Sequence, residues 1–365
     1  MEYTDEELWW QHVSSPAGFA RAVVETVLDQ RSVVLQVPEH LPWHAAFRRF
    51  LCDRIDSGDP NRLIVMVDAA DVEDIGACLL EKCCKGSLAR AYRHGRHYAE
   101  FLAGLEDTTL PNRTFWFTGV TRAQLKAWLD FLSDYQRACG GRAGAICLFE
   151  MADGTPPRSK AVRTFSYDDD VTRYDVHLFH SVRARNAQLS GSPAKERLRP
   201  YLAELATSVS GGDVELGAAL LRTADSLYHA PEETLARVLQ DTARSDGSAF
   251  PAPAGDVARR IWTAQIKTVF PYLEAQRIAF LERHQDEAAR LVAVETIYNG
   301  NHEKIEDGRD LELGTIYSYR SRFRMSERER ESLERFREAR NTLAHIHPLA
   351  LSDIEPLYDY PLADG

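Results

Sequence analysis

The sequence predicts an α/β N-terminal domain with a mostly parallel, three-layer sheet, then an all-α connector, then a C-terminal helical bundle. Three observations carry this. Over residues 1–180 short, nearly continuous apolar runs alternate with helical periodicity, the pattern of buried parallel strands covered on both faces. From 193 onward the pattern is helical, with apolar residues at spacings of three and four. Between these helical stretches, residues 245–255 are rich in serine, glycine and proline (Ser245, Gly247, Ser248, Pro251, Pro253, Gly255) and read as a linker. The expected domains are therefore 1–180, 181–244 and 256–360. A chain of 365 residues has room for two or three such cores.

Residues 1–30 read as helical, with Leu8, Trp9, Val13, Phe19, Val23, Val24, Val27 and Leu28 at helical spacing. Ser32 to Val37 is a short apolar strand stopped by Pro38, and Leu63 to Val67 is a second, ending at Asp68, with a helix at 44–55 between them. Helical segments near 71–84 and 88–104 precede a strand at Thr114–Thr118. A helix over 121–138 leads to a strand at Ala145–Phe149. Tyr174 to Phe179 is the last strand candidate. Residues 152–173 read as a polar connection, and Asp168-Asp169-Asp170 within it as a solvated loop, since no glutamate or glycine follows at the spacing of a calcium loop.

In the second half Pro193 opens a helix, Gly211-Gly212 breaks it, and Asp213–His229 forms another. Pro231-Glu232-Glu233 starts a third, with proline in the first turn and acids at the positive helix end. Ile261, Trp262, Ile266, Val269, Phe270, Leu273, Phe280 and Leu281 form one long apolar stripe, which Pro271 is expected to bend. After a polar loop near 299–310 and a helix around 311–320, Ser326 and Glu329 make a capping box for a charged helix carrying Leu333, Phe336 and Leu343 inward. A short helix starts at Ser352.

The net charge of −11 argues against binding nucleic acid over the whole surface, so any such site must be a local patch. Two patches qualify: Arg90–Tyr98, and Tyr317–Arg324. In the second, Arg320, Arg322 and Arg324 interleave with Tyr317, Tyr319 and Phe323, a composition suited to single-stranded RNA. The six cysteines form no CxxC pair and are expected as reduced thiols, with no metal and no cofactor. No apolar run reaches 18 residues, and the chain opens on Glu2, Asp5, Glu6 and Glu7, so a cytoplasmic protein without a membrane partner is expected.

The order and spacing over residues 30–180 resemble a P-loop NTPase of the AAA+ or STAND type. Ser32–Val37 then stands before the phosphate loop and Thr114–Thr118 at the Walker B strand. The departures are specific. The stretch Pro38-Glu39-His40-Leu41-Pro42-Trp43-His44-Ala45 has no glycine to wrap a phosphate and no lysine to reach it. Thr118-Gly119 stands where an acid would hold magnesium. ATPase activity is therefore not expected, and the domain reads as a degenerate relative kept as a scaffold or docking surface.

Arg340-Asn341-Thr342-Leu343-Ala344-His345, on a long charged helix within the helical layout of 256–360, resembles the signature of HEPN domains. The resemblance implies a metal-independent endoribonuclease in which Arg340 binds the phosphate, His345 acts as acid or base and Asn341 orients them. On a regular helix Arg340 and His345 are five residues apart and diverge by roughly 140°. The family's answer is a two-fold dimer that joins two copies of the motif. Many HEPN-like domains serve only for association, so a non-catalytic adaptor that docks a partner protein is the other reading. Degenerate NTPase-like regions joined to HEPN-like domains are associated with prokaryotic defence and conflict systems.

Overall fold

The computed structural model describes residues 3–83, 92, 97–105, 110–152, 154–189, 193–299 and 301–363. The chain divides into two compact units, Met1–Asp175 and Val176–Gly365.

The first unit is built on five parallel strands: β1 (Ser32–Gln36), β2 (Leu63–Asp68), β3 (Arg113–Thr118), β4 (Ile146–Met151) and β5 (Val162–Ser166), in the order β2-β3-β4-β1-β5. All four pairings are parallel, so each return passes across a face of the sheet. Helices α1 (Ser14–Leu28), α2 (His44–Gly58) and α3 (Arg122–Cys139) do much of this covering, with shorter helices at Ile75–Cys83 and Tyr98–Ala103. Alternation within the strands assigns the layers. Phe117 and Phe149 meet Trp128 of α3 at ring separations of 5.1 and 6.0 Å, while Trp116, one residue away from Phe117, meets Phe47 of α2 at 6.4 Å on the opposite face. The expected three-layer α/β domain is present.

Three local expectations are corrected. Tyr174–Phe179 is not a strand but lies in helix α4 (Arg173–Asn186): Val176, Phe179 and His180 are buried while Tyr174 and Leu178 are exposed, a helical period that apolar and polar alternation imitates over six residues. The fifth strand is instead Val162–Ser166, within the stretch read as a polar connection. As an edge strand it buries only Val162 and Phe165, leaving Arg163 and Thr164 exposed, so its sequence alternates poorly. Asp168–Asp170 belong to a short helix, Tyr167–Asp170, rather than a loop. The Arg90–Tyr98 patch lies largely outside the described residues; of those described, Tyr92 and Tyr98 stack on one another at 4.3 Å.

The second unit is helical. Its principal elements are α5 (Arg199–Val209), α6 (Val214–Leu221), α7 (Val257–Arg283), α8 (Gln285–Val294), α9 (Leu313–Ser318), α10 (Glu327–Ala344) and α11 (Leu351–Asp359), with shorter helices Pro193–Arg197, Ala224–His229 and Pro231–Asp241. Helix α7 runs through Pro271 over 27 residues. One hydrophobic cluster extends from Ala184 to Ala363, so the helices of 181–244 and those of 256–360 share a core. The linker-like segment 245–255 is inside this unit and pinned to it. Ala243 and Ala249 bridge, the Ser245 hydroxyl and N–H both bond Glu215, Arg260 donates to the Val209 carbonyl at 3.0 Å, and Phe250 is buried. Glycine and proline mark a turn here, and after it α7 buries Ile261, Ala264, Val269, Leu273, Phe280 and Leu281 in the same core.

Candidate functional site

Helix α10 begins as its sequence requires. The Ser326 hydroxyl accepts from the Glu329 N–H at 3.2 Å, and the Glu329 carboxylate accepts from the Ser326 N–H at 2.8 Å. Leu333, Phe336, Ala339 and Leu343 are buried, and the Trp262 indole of α7 donates to the Leu343 carbonyl at 2.7 Å, fixing the end of the helix. There the chain turns through a Schellman motif: the Ile346 N–H bonds the Leu343 carbonyl at 3.2 Å and the His347 N–H bonds the Thr342 carbonyl at 3.1 Å.

The motif residues sit at this end. Asn341, His345 and His347 are exposed. Arg340 is half-buried, and its guanidinium lies 3.3 Å from the carboxylate of Glu312, the residue preceding α9. Its hydrogen-bond partner is therefore Glu312. Ile346 adopts φ of 62°, the left-handed region that the motif demands and that a β-branched residue enters only under strain, and the residue is 54% exposed. Ile346→Gly should stabilise the second unit by about 1 kcal/mol, the relief of left-handed strain less glycine's greater chain entropy. A urea midpoint that does not rise would contradict this.

The arginine-rich segment is more constrained than its composition indicates. Phe323 is buried, and Tyr319 packs partly against the core. Tyr317 receives the guanidinium of Arg337 at 3.8 Å and that of Arg320 at 4.5 Å from its ring centre, and its hydroxyl donates to Glu334. Arg322 pairs with Glu295 at 2.8 Å. Arg324 is exposed and forms no ion pair among the described residues. Aromatic rings counted as stacking platforms are thus spent on packing or on the protein's own arginines.

The first unit holds a second constellation. In an open parallel sheet, ligands bind outside the carboxyl ends of the strands, where neighbouring connections leave in opposite directions. Here that point lies between β1, whose connection runs toward β2, and β4, whose connection runs toward β5. A carboxylate occupies it. Glu150, near the end of β4 and 4% exposed, takes the Arg48 fork at 2.7 and 3.4 Å, lies 2.9 Å from His44 Nε2 and accepts from the Trp116 indole at 3.0 Å. Burial alone would push its carboxyl up, but the adjoining His44 ring and Arg48 guanidinium hold it below the usual glutamate value. His44 and Arg48 share one face of the first turns of α2, where the helix N-terminus also favours negative charge.

The stretch that should cradle a phosphate is packed instead. The Trp10 indole donates to the Pro42 carbonyl at 3.0 Å, the Trp10 ring lies 4.6 Å from Phe47, Trp9 lies 6.4 Å from Trp43, and Trp43 itself is left-handed at the start of α2. An open cleft of about 790 Å³ beside β5 includes Gln36, Arg163 and Ser166 but none of His44, Arg48 or Glu150. Sequence reading missed Glu150. A signal existed: a glutamate inside the otherwise apolar run Ile146–Met151 must find a buried cation.

No protein-family model matches the chain. No curated protein matches it either. Among solved structures, the Saccharomyces cerevisiae protein RIF2 is similar at a TM-score of 0.31 and 9% identity, over 68% of this chain and 95% of that one. A variant of RuvB from Thermotoga maritima is similar at 0.30 and 12%, over 69% and 75%.

Proposed function

We propose that the chain is a metal-independent endoribonuclease of HEPN type, acting as a two-fold dimer in a prokaryotic defence or conflict system, with the first unit serving as a nucleotide-independent scaffold or partner dock. One observation carries this reading: Asn341, His345 and His347 stand exposed at a helix end held in a strained turn, while Arg340 points to a different partner. A half-site of this kind is completed by a second copy. Arg340 would leave Glu312 to bind the scissile phosphate, His345 would move the proton, and Asn341 would orient them.

Purified protein incubated with mixed RNA in EDTA should cleave it. Arg340→Ala and His345→Ala should each lower the rate by about 10²–10⁴-fold. If the site joins Arg340 of one copy to His345 of the other, mixing the two inactive variants restores one site in each heterodimer, roughly a quarter of wild-type activity under two-fold symmetry. RNA left intact by the wild type ends the nuclease reading, and mixtures that stay inactive end its shared-site form. The second reading, a non-catalytic adaptor, is favoured by the Arg340–Glu312 pair and by the arginines held on Tyr317, which leave the cationic groups satisfied within the chain.

A further inference from the structure

We propose that Arg48, His44 and the Trp116 indole form an oxyanion-binding site whose ligand the protein supplies itself, as the carboxylate of Glu150. The inference does not rest on the ribonuclease reading. Three donors from two separate elements converge on this one group, two side chains from consecutive turns of α2 and one from β3, while the acceptor comes from β4. A buried carboxylate needs such donors wherever it lies; what a structural ion pair does not need is a place at the switch point of the sheet, where open parallel sheets take up external anions. The Arg48 fork presents two nitrogens to the two carboxylate oxygens, the geometry arginine uses for carboxylates and phosphates. The indole N–H and the imidazole supply the remaining polar contacts, so the anion is enclosed with 4% exposure.

The arrangement fixes what the site can do. With Glu150 in place, α2 and β4 stay tied as an external anion would tie them, and the crevice is closed to phosphate. The tryptophan packing over Pro42 and Phe47 can then be permanent, because nothing has to enter. The site is selective for a planar, singly charged group of acetate size, since that is the part of Glu150 the donors surround.

Chemical rescue tests this. Glu150→Ala removes an acetate-sized group and leaves its donors behind. In that full-length variant, millimolar acetate should raise the melting temperature by at least about 2 °C over sodium chloride at equal ionic strength. If the variant does not fold unaided, acetate should restore refolding from urea. Arg48→Met introduced beside Glu150→Ala should abolish either response, and wild-type protein should respond to neither acetate, inorganic phosphate nor ATP. A Glu150→Ala chain that behaves alike in acetate and chloride, folded or not, overturns the proposal. So does a response that survives Arg48→Met, or a melting shift of the wild type with phosphate or ATP.

Discussion

Arg48→Met should destabilise the first unit by about 3 kcal/mol at neutral pH, the lower end for breaking a buried pair, because Arg48 is one-third exposed and two other donors remain. The loss arises from Glu150, left in the interior with only His44 and the Trp116 indole beside it. The pH dependence gives the cause a signature. In the wild type the Glu150 carboxyl is held below its ordinary value of 4.5, so its contribution to stability is complete above that value and is lost as pH falls through the lowered one. Without the guanidinium only His44 still opposes burial, and the carboxyl rises. The deficit of the variant should therefore be full at pH 7 and shrink below about pH 4. Five of the six tryptophans (Trp9, Trp10, Trp43, Trp116 and Trp128) lie in this unit, so urea unfolding followed by indole fluorescence reports it. An equal deficit at both pH values would show that Arg48 acts through packing alone.

In the second unit the largest effect is expected from Gln265→Leu. The Gln265 amide is fully buried on α7. It donates to the Leu349 carbonyl at 2.8 Å and to the Tyr201 hydroxyl at 3.0 Å, and accepts from the Leu349 N–H at 2.7 Å. Leucine fills a similar volume but orphans both backbone groups of Leu349, at about 1–3 kcal/mol each, for a total of about 2–6 kcal/mol. Far-UV circular dichroism in urea would measure it. Because Leu349 lies just beyond the turn that carries His345 and Ile346, the same change should loosen the end of α10 and speed amide exchange there. Unchanged exchange at that turn would separate Gln265 from the motif.

The sheet was legible in the sequence wherever its strands are covered on both faces. Val33, Val34 and Leu35, or Phe115, Trp116 and Phe117, leave no other reading of a short apolar run. It failed at β5, an edge strand whose exposed Arg163 and Thr164 break the pattern, and at Tyr174–Phe179, where six residues are too few to tell a period of two from 3.6. The capping box at Ser326 was readable because its two bonds lie within one turn. The Glu150 constellation was not. It joins residues 44, 48, 116 and 150, and no local spacing announces a contact across 102 positions. The surroundings of the aromatic residues of 317–324 were hidden for a related reason: composition gives the side chains, while only the packed helix decides which rings remain open.

The inner place of β1, between β4 and β5, has a consequence during synthesis. The first strand to emerge is the one whose neighbours, β4 and β5, emerge last; the Ser32 hydroxyl must wait for the Cys147 N–H, 115 residues later. At about 5–20 residues per second, that is roughly 6–20 s in which Ser32–Gln36 has no ladder to join. In that interval β2 and β3 can pair with each other but not with the centre of their own sheet. A ribosome-bound chain halted before Ile146 would therefore present an apolar strand without its neighbours.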